Sequence, residues 1–327
     1  MYLDVNITYI IALLLFVSVF MIVFERRVYR IIVYTCIYSL LISMVYLTLG
    51  SPDVAMAEAA IGTYAIIFFI VVAEKYYGKG AKEGLKNREL DAVSKKGRDV
   101  LKIICAIIFV GGIGALFISF TPNVEANFYL RDQFLLRASA DVGGRNVIGS
   151  ILMGYRLYDT LFEALLLVIA IMAVNHLSWF DKDYVKRGKT SEVQKDRVAF
   201  YSVRVISPIL LIFGVYLITN GHLSAGGGFQ GGVAVACFFI CRYMIHDIYD
   251  LSVKKVLKLE ELVFIALIFV SALTVFLDTA TFIRNFYYEF FYTYQNIHLI
   301  AANSLVGIKV ACGFFILFYR YIAIERM

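Results

Sequence analysis

Within MGYRLYDTLFEALLLVIAIMAV, Arg156, Asp159 and Glu163 fall at i, i+3 and i+7. In a helix that spacing puts one cation and two carboxylates on a single face. SPDVAMAEAAIG holds Asp53 and Glu58, and NSLVGIKVACGFFILF holds Lys309. A fourth stretch, GHLSAGGGFQGG from Gly221 to Gly232, sets six glycines around His222 and Gln230. Carboxylates removed from water titrate closer to neutral pH, which suits them to exchange a proton for a metal cation, and neighbouring Arg or Lys tunes that exchange. Whether these residues do such chemistry depends on what surrounds them.

Their surroundings are apolar. The chain has 327 residues, of which 61% are hydrophobic and only 17% charged, with a mean hydropathy of +0.78; soluble domains carry about 25% charged residues. The apolar residues come in runs of roughly 18 to 22, the length a helix needs to cross a hydrocarbon core. About nine spans are predicted: 7–24, 28–49, 54–73, 100–120, 156–177, 201–219, 229–246, 259–280 and 300–322. The runs are too long and too little alternating for barrel strands. An all-α, polytopic membrane protein follows. Most lysines and arginines fall in segments 25–30, 74–99, 178–200, 241–258 and the C-terminal tail, while the alternate segments hold Arg131, Arg137, Arg145 and Arg284. That asymmetry predicts the N-terminus outside and the C-terminus in the cytoplasm. The net charge of +6 is this topology signal and not a nucleic-acid patch. The first span has no preceding basic region or small-residue cleavage site, so it is expected to be retained.

Against those spans the ionisable residues separate. Ser51 can cap the third span, Pro52 suits its first turn and Asp53 lies at the positive end of its dipole, all ordinary helix-start chemistry. Glu58 lies five residues further in, ~7 Å deeper, where no cap needs it. Arg156 and Asp159 can pair and anchor a helix at the interface. Glu163 is left over, because only 12 residues separate it from His176, too few for a full span, so it must enter the membrane. Lys309 has about ten apolar residues on either side, beyond the reach of snorkelling. It needs a carboxylate, a hydrated cavity or a neutral state. Asp278 lies at an unsuitable depth, so the partner is expected on another chain.

The glycine stretch contains Gly226-x-Gly228-x-x-Gly231, which formally matches a dinucleotide fingerprint. That loop needs a preceding strand inside a βαβ unit, whereas here a membrane helix precedes it. Gly221, Gly226, Gly227, Gly228, Gly231 and Gly232 are read instead as a structural loop. It serves close helix packing, a turn dipping into the membrane, or carbonyls facing a hydrated path. The five cysteines all lie in spans, and Cys237 and Cys241 share a helix face without a metal-ligand pattern. No catalytic triad, zinc motif or iron–sulfur series is present, so neither a catalytic residue nor a metal site is assigned. No cofactor is expected in this chain.

Two long segments of mixed charge, in 74–99 and 181–197, have linker composition. They separate groups of three, two and four spans. The outer segment between the fourth and fifth spans carries NFYLRDQFLLRASA, an amphipathic pattern expected to form a short surface helix.

With these residues assembled, the chain resembles a fusion of small membrane subunits of Mrp-type multisubunit Na+/H+ antiporters. The same module occurs in the membrane arm of energy-converting hydrogenases related to complex I. Residues 198–327 resemble the B-type component of those antiporters, whose hallmark GH-x-x-PGGGF-x-GG reads here from Gly221 to Gly232 with Ala225 in place of the proline. Residues 1–80 resemble a three-helix small component joined to the large A-type one. Residues 100–180 resemble the end of that A-type component, through NVIGSILMGYRLYDTLFEA. Residues 81–99 and 181–197 are the linkers. Leu157 and Phe162 stand where the family has small residues.

The resemblance implies membership of a cation- and proton-translocating complex, in a chain that is not an enzyme by itself, with Na+ and H+ as the transported ions. Glu58, Asp159 and Glu163, with Arg156 beside them, correspond by position to the family's membrane carboxylates. Lys309 is placed in the ion pathway by its depth, and His222 and Gln230 by their place at the glycine stretch. Implied partners are antiporter-type membrane subunits, among them a large proton-channel subunit, and iron–sulfur or hydrogenase subunits if a redox arm is attached. The lipid bilayer of a prokaryotic inner membrane is the setting. The competing expectation is a scaffold that seals and connects pumping subunits without conducting.

Overall fold

The computed structural model describes residues 5–25, 27–77, 129–177, 197–245, 252–279 and 295–325. The described residues are helical, with no strand among them. The helices are α1 Val5–Phe24, α2 Val28–Thr48, α3 Pro52–Tyr77, α4 Tyr129–Asp141, the single turn α5 Val147–Ser150, α6 Leu157–Leu177, α7 Arg197–Asn220, α8 Gly228–Ile245, α9 Val253–Thr279 and α10 Gln295–Glu325. A π-helical turn, Ile151–Tyr155, joins α5 to α6. Eight of the nine expected spans coincide with α1–α3 and α6–α10; the span at 100–120, both linkers and Cys105 lie outside the described residues. Five helices are long and apolar enough to cross a membrane by length and composition: those containing Val28–Thr48, Pro52–Ile70, Leu157–Val174, Phe200–Asn220 and Ile297–Arg320. The apolar stretches of α1 and α8 are shorter. The protein is a multi-pass helical membrane protein. The amphipathic stretch before the fifth expected span forms α4.

The chain divides into two compact units, Val72–Gln133 and the remainder. Within the larger unit α10 is the axis. It packs against α8, α9, α6 and α7, and 61% of its apolar window is buried, against 6–22% in the other four candidate spans. Such a helix reads as apolar on all sides because protein, not lipid, surrounds it. Leu299, Val306, Val310 and Phe318 of α10 meet Val233, Cys237 and Ile240 of α8, with Leu267 of α9 and Tyr64 of α3 in the same core. The Tyr64 hydroxyl donates to the Phe314 carbonyl at 3.3 Å, bringing α3 onto α10.

The glycine stretch is explained by this packing. A Cβ on Gly228 would collide with the Asn303 carbonyl oxygen, and one on Gly232 would lie 2.6 Å from that of Gly307. Both point α8 at α10. Gly231 faces the other way, where a Cβ would lie 2.6 Å from the Gly214 carbonyl oxygen of α7. One helical turn therefore carries two contact faces, each lacking a side chain so that backbones can approach. The preceding turn passes through Gly226 and Gly227 at φ +146° and +156°, values that side-chain-bearing residues rarely adopt.

Candidate functional site

Asn146 lies between α4 and α5 and bonds both to α3 and to the glycine turn ahead of α8. Its Oδ1 accepts from the Ile148 and Gly149 amides at 3.1 and 3.3 Å, capping α5. Its Nδ2 donates to Asp53 Oδ1 at 2.9 Å and to the carbonyls of Gly221 and Ser224 at 3.0 Å each. Its own amide donates to the His222 carbonyl at 3.1 Å. Asp53 is only 7% exposed and accepts a second bond from the Gly226 amide at 3.0 Å. Gln230 Nε2 reaches the Asp53 carbonyl at 3.5 Å, and the Gly228 amide donates to Asn303 Oδ1 of α10 at 3.1 Å. The helix-start reading of Asp53 is therefore incomplete. Its carboxylate does sit at the first turn of α3, but it also holds the glycine turn and the cap of α5. His222 is buried, with Nδ1 3.0 Å from the Thr219 carbonyl. His222 and Gln230 thus belong to this node.

Glu58 sits apart from the node. Ser39 of α2 donates to its Oε1 at 2.9 Å, and one turn away Ser43 donates to the Ala55 carbonyl at 2.6 Å. Gly62 makes room for this contact, since a Cβ there would collide with the Ser39 hydroxyl.

Arg156 and Asp159 do pair, the guanidinium Nε lying 2.6 Å from Asp159 Oδ2. Both are largely exposed, at 62% and 45% of their side chains. Arg156 itself is outside regular helix, at φ −120° and ψ 32°, where the π turn ends. The i, i+3, i+7 face therefore begins at a helix break and not within one continuous helix. Thr160 donates back across the break to the Leu152 carbonyl at 3.0 Å. Glu163 lies one turn beyond Asp159, on an exposed part of α6. Just before the break, the Tyr155 hydroxyl donates to Asp141 of α4 at 2.7 Å. Partial desolvation, with that carboxylate bond second, pushes the phenol up to about 12.

Lys309 is fully buried and forms an ion pair with Glu260 of α9, whose side chain is 3% exposed. The ammonium also lies 4.7 Å from the Phe264 ring centroid, a cation–π contact. The expectation that its partner lies on another chain is corrected here. Helix α9 starts at Val253, before the apolar run, so Glu260 is two turns inside the helix and faces α10. Among the described residues no hydrogen bond or ion pair joins the Glu58, Arg156–Asp159 and Lys309–Glu260 groups to one another, and no cluster of metal-ligating side chains is present.

Asn146, Asn303 and Glu260 escaped the sequence reading. Asn146 lies inside the quoted NVIGSILMGY stretch, and an Asn just ahead of a helix is a cap signal. Nothing local to Asn303 or Glu260 announces a partner.

Residues 199–316, which contain the glycine turn and Lys309–Glu260, match the family model described as a domain related to the MnhB subunit of Na+/H+ antiporter. Residues 13–77, which contain Asp53 and Glu58, match the MbhD model, which describes the D-type component of MBH. The chain carries an Mrp-type antiporter module. The module is 26% identical to a probable K(+)/H(+) antiporter component of the combined A/B type from Rhizobium meliloti, over 61% of this chain and 22% of that protein. It therefore spans about a fifth of that relative's length. The fold of the chain is that of a chain in the Mrp complex from Dietzia sp. DQ12-45-1b, with a TM-score of 0.74 and 19% identity, over 96% of this chain and 34% of that one. A chain of the membrane-bound sulfane sulfur reductase, an archaeal respiratory membrane complex, matches with a TM-score of 0.52 and 23% identity, over 67% of this chain and 96% of that one.

Proposed function

We propose that this chain is an integral subunit of a multisubunit cation/proton antiporter complex in a prokaryotic inner membrane, coupling Na+ to H+. The observation that carries the reading is the match of residues 199–316 to the MnhB-related model, over a helical block that keeps a lysine–carboxylate pair out of water. Ionisable side chains are retained in membrane helices at a cost, and chiefly where ions or protons move. Glu58, Asp159 and Glu163 bind or relay the cation in this reading. Arg156 and Lys309 tune their charge, and the glycine stretch with His222 and Gln230 shapes the outer mouth of the path. Nine spans, an outside N-terminus and three blocks at 1–80, 100–180 and 198–327 complete it. The partners are further antiporter-type subunits, including a large proton-channel subunit. The likeness to a respiratory complex supports attachment to a redox arm in some assemblies.

The test is Glu163→Gln and Glu58→Gln in the assembled complex, with Na+- and K+-dependent proton exchange followed by a pH-sensitive dye in inverted vesicles. At least a tenfold loss of Na+-driven exchange is expected for each. Exchange at the unmutated level in both removes the relay role. One observation favours the scaffold reading: the Glu58, Arg156–Asp159 and Lys309–Glu260 groups are not joined by hydrogen bonds or ion pairs within the described residues. A scaffold predicts that the same variants lower the yield of intact complex while turnover per complex is unchanged.

A further inference from the structure

The exposed faces of the membrane helices are not alike. α1 shows Leu13, Phe16 and Phe20, α2 shows Val33, Leu40 and Met44, and α7 shows Val205, Ile209 and Ile212. All of these suit acyl chains. α6 shows Tyr158, Phe162, Leu166, Ile169 and Met172, but Glu163 is exposed beside them. Glu163 is the seventh residue of the Leu157–Val174 span, ~9 Å from its start and ~16 Å from its other end. A glutamate has two methylenes and cannot snorkel that far. Arg204, also exposed on a span, is four residues from the start of its window, and its long stem can reach the interface. Among the described residues the basic group acting on Glu163 is Arg156, which is already paired with Asp159. Acyl chains offer no hydrogen-bond donor, and an uncompensated carboxylate against them is strongly disfavoured.

We propose that the exposed face of α6 is a docking surface for a transmembrane helix of another subunit, one that presents a hydrogen-bond donor at the level of Glu163. This inference rests on the reading that the chain works inside a multisubunit complex and names the surface that does the joining. Charge complementarity supports it, because an apolar face that carries one ionisable side chain is matched by a protein helix with a donor and not by acyl chains. Phe162 and Leu166 supply the apolar contact on either side of the carboxylate. The donor on the partner fixes the depth at which the two helices meet, since a single polar pair in an apolar interface sets register.

The experiment places the photo-reactive amino acid benzoylphenylalanine at Phe162, Leu166 or Ile169 of the full chain, co-expressed with its complex. Ile209 and Ile212 of α7 serve as lipid-facing controls. Irradiated membranes are solubilised and the adducts sequenced by mass spectrometry. The expected result is adduct to a different subunit from at least two α6 positions. The cross-linked peptide should lie in a transmembrane segment with a Lys, Arg, His, Asn, Gln, Ser or Thr within one helical turn, and adduct yield should fall at least fivefold in Glu163→Leu but less than twofold in Glu163→Gln. Lipid adducts alone from all three positions, adduct to a second copy of this chain, or a partner segment with no donor would each overturn the proposal. Vesicle exchange by the same unmutated complex separates the two readings. Exchange with lipid-only adducts sinks the docking surface alone, and subunit adducts without any exchange sink the transport reading alone.

Discussion

Asn146 uses every polar atom it has, and its partners lie in different parts of the chain. Truncation to Ala removes at once the donor to Asp53 and to two carbonyls and the acceptor that caps α5. A buried polar group left without its partner costs about 1–3 kcal/mol. Asn146→Ala is therefore expected to lower the thermal midpoint of the detergent-solubilised protein by several degrees. Asn146→Asp should do at least as much harm, because it keeps the cap oxygen but sets a second carboxylate against Asp53. A midpoint within a degree of the parent in a fluorescence melt would show that the node is not what holds the blocks. Lys309 and Glu260 allow a cleaner measurement. Lys309→Met alone leaves a buried carboxylate unpaired and should cost about 3–5 kcal/mol, while adding Glu260→Leu should recover most of it. If the double variant is no better than the single, the Glu260 charge is being compensated by something other than Lys309. At this scale the sequence singles out Glu58, Glu163 and Lys309 by expected depth alone, and the structure buries Lys309. The sequence could not identify their partners, because Ser39 and Glu260 stand 19 and 49 residues away in sequence.

Helices in this protein are legible because each apolar run is long and ends in charge or glycine, and α1–α3 and α6–α10 fall where those runs lie. The crossings between them are not legible. GGGFQGG announces close approach, but the surfaces approached, Gly214 on α7 and Gly307 on α10, are single glycines inside apolar runs with no local signal of their own. The structure ranks them. A methyl on Gly228 would collide with the Asn303 backbone oxygen, and helix α10 would have to shift. On Gly307 it would first meet the end of the Ile218 side chain at 2.6 Å, which can rotate away. Gly228→Ala is thus expected to cost about 1–3 kcal/mol by overpacking, and Gly307→Ala measurably less. Equal melting midpoints for the two would mean that α8 and α10 are not in tight backbone contact.

For the whole molecule, composition suggests where groups of spans are joined but carries no information on how they meet. Mixed charge in 74–99 and 181–197 is expected to set off three groups of spans, yet the bonds that gather α3, Asn146 and the glycine turn connect residues 75 to 177 positions apart. No periodicity within one helix encodes such distances. The packing around α10 has a direct consequence for the second linker. α6 lies against α10 and α9, Gly313 of α10 is open to Leu167 of α6, where a Cβ would come within 2.7 Å of its side chain, and Asn146 holds the glycine turn. These contacts do not need the covalent connection between residues 177 and 197. A protease site inserted after Lys189 and cut in mild detergent should therefore leave the two pieces eluting as one species on size exclusion. The same cut in a chain carrying Asn146→Ala should release a larger separated fraction, since the node is lost and only the packing of α6 on α9 and α10 is left to hold the pieces. Separation of the parent on cutting would show that the linker, and not the buried surface, keeps the middle and last blocks together.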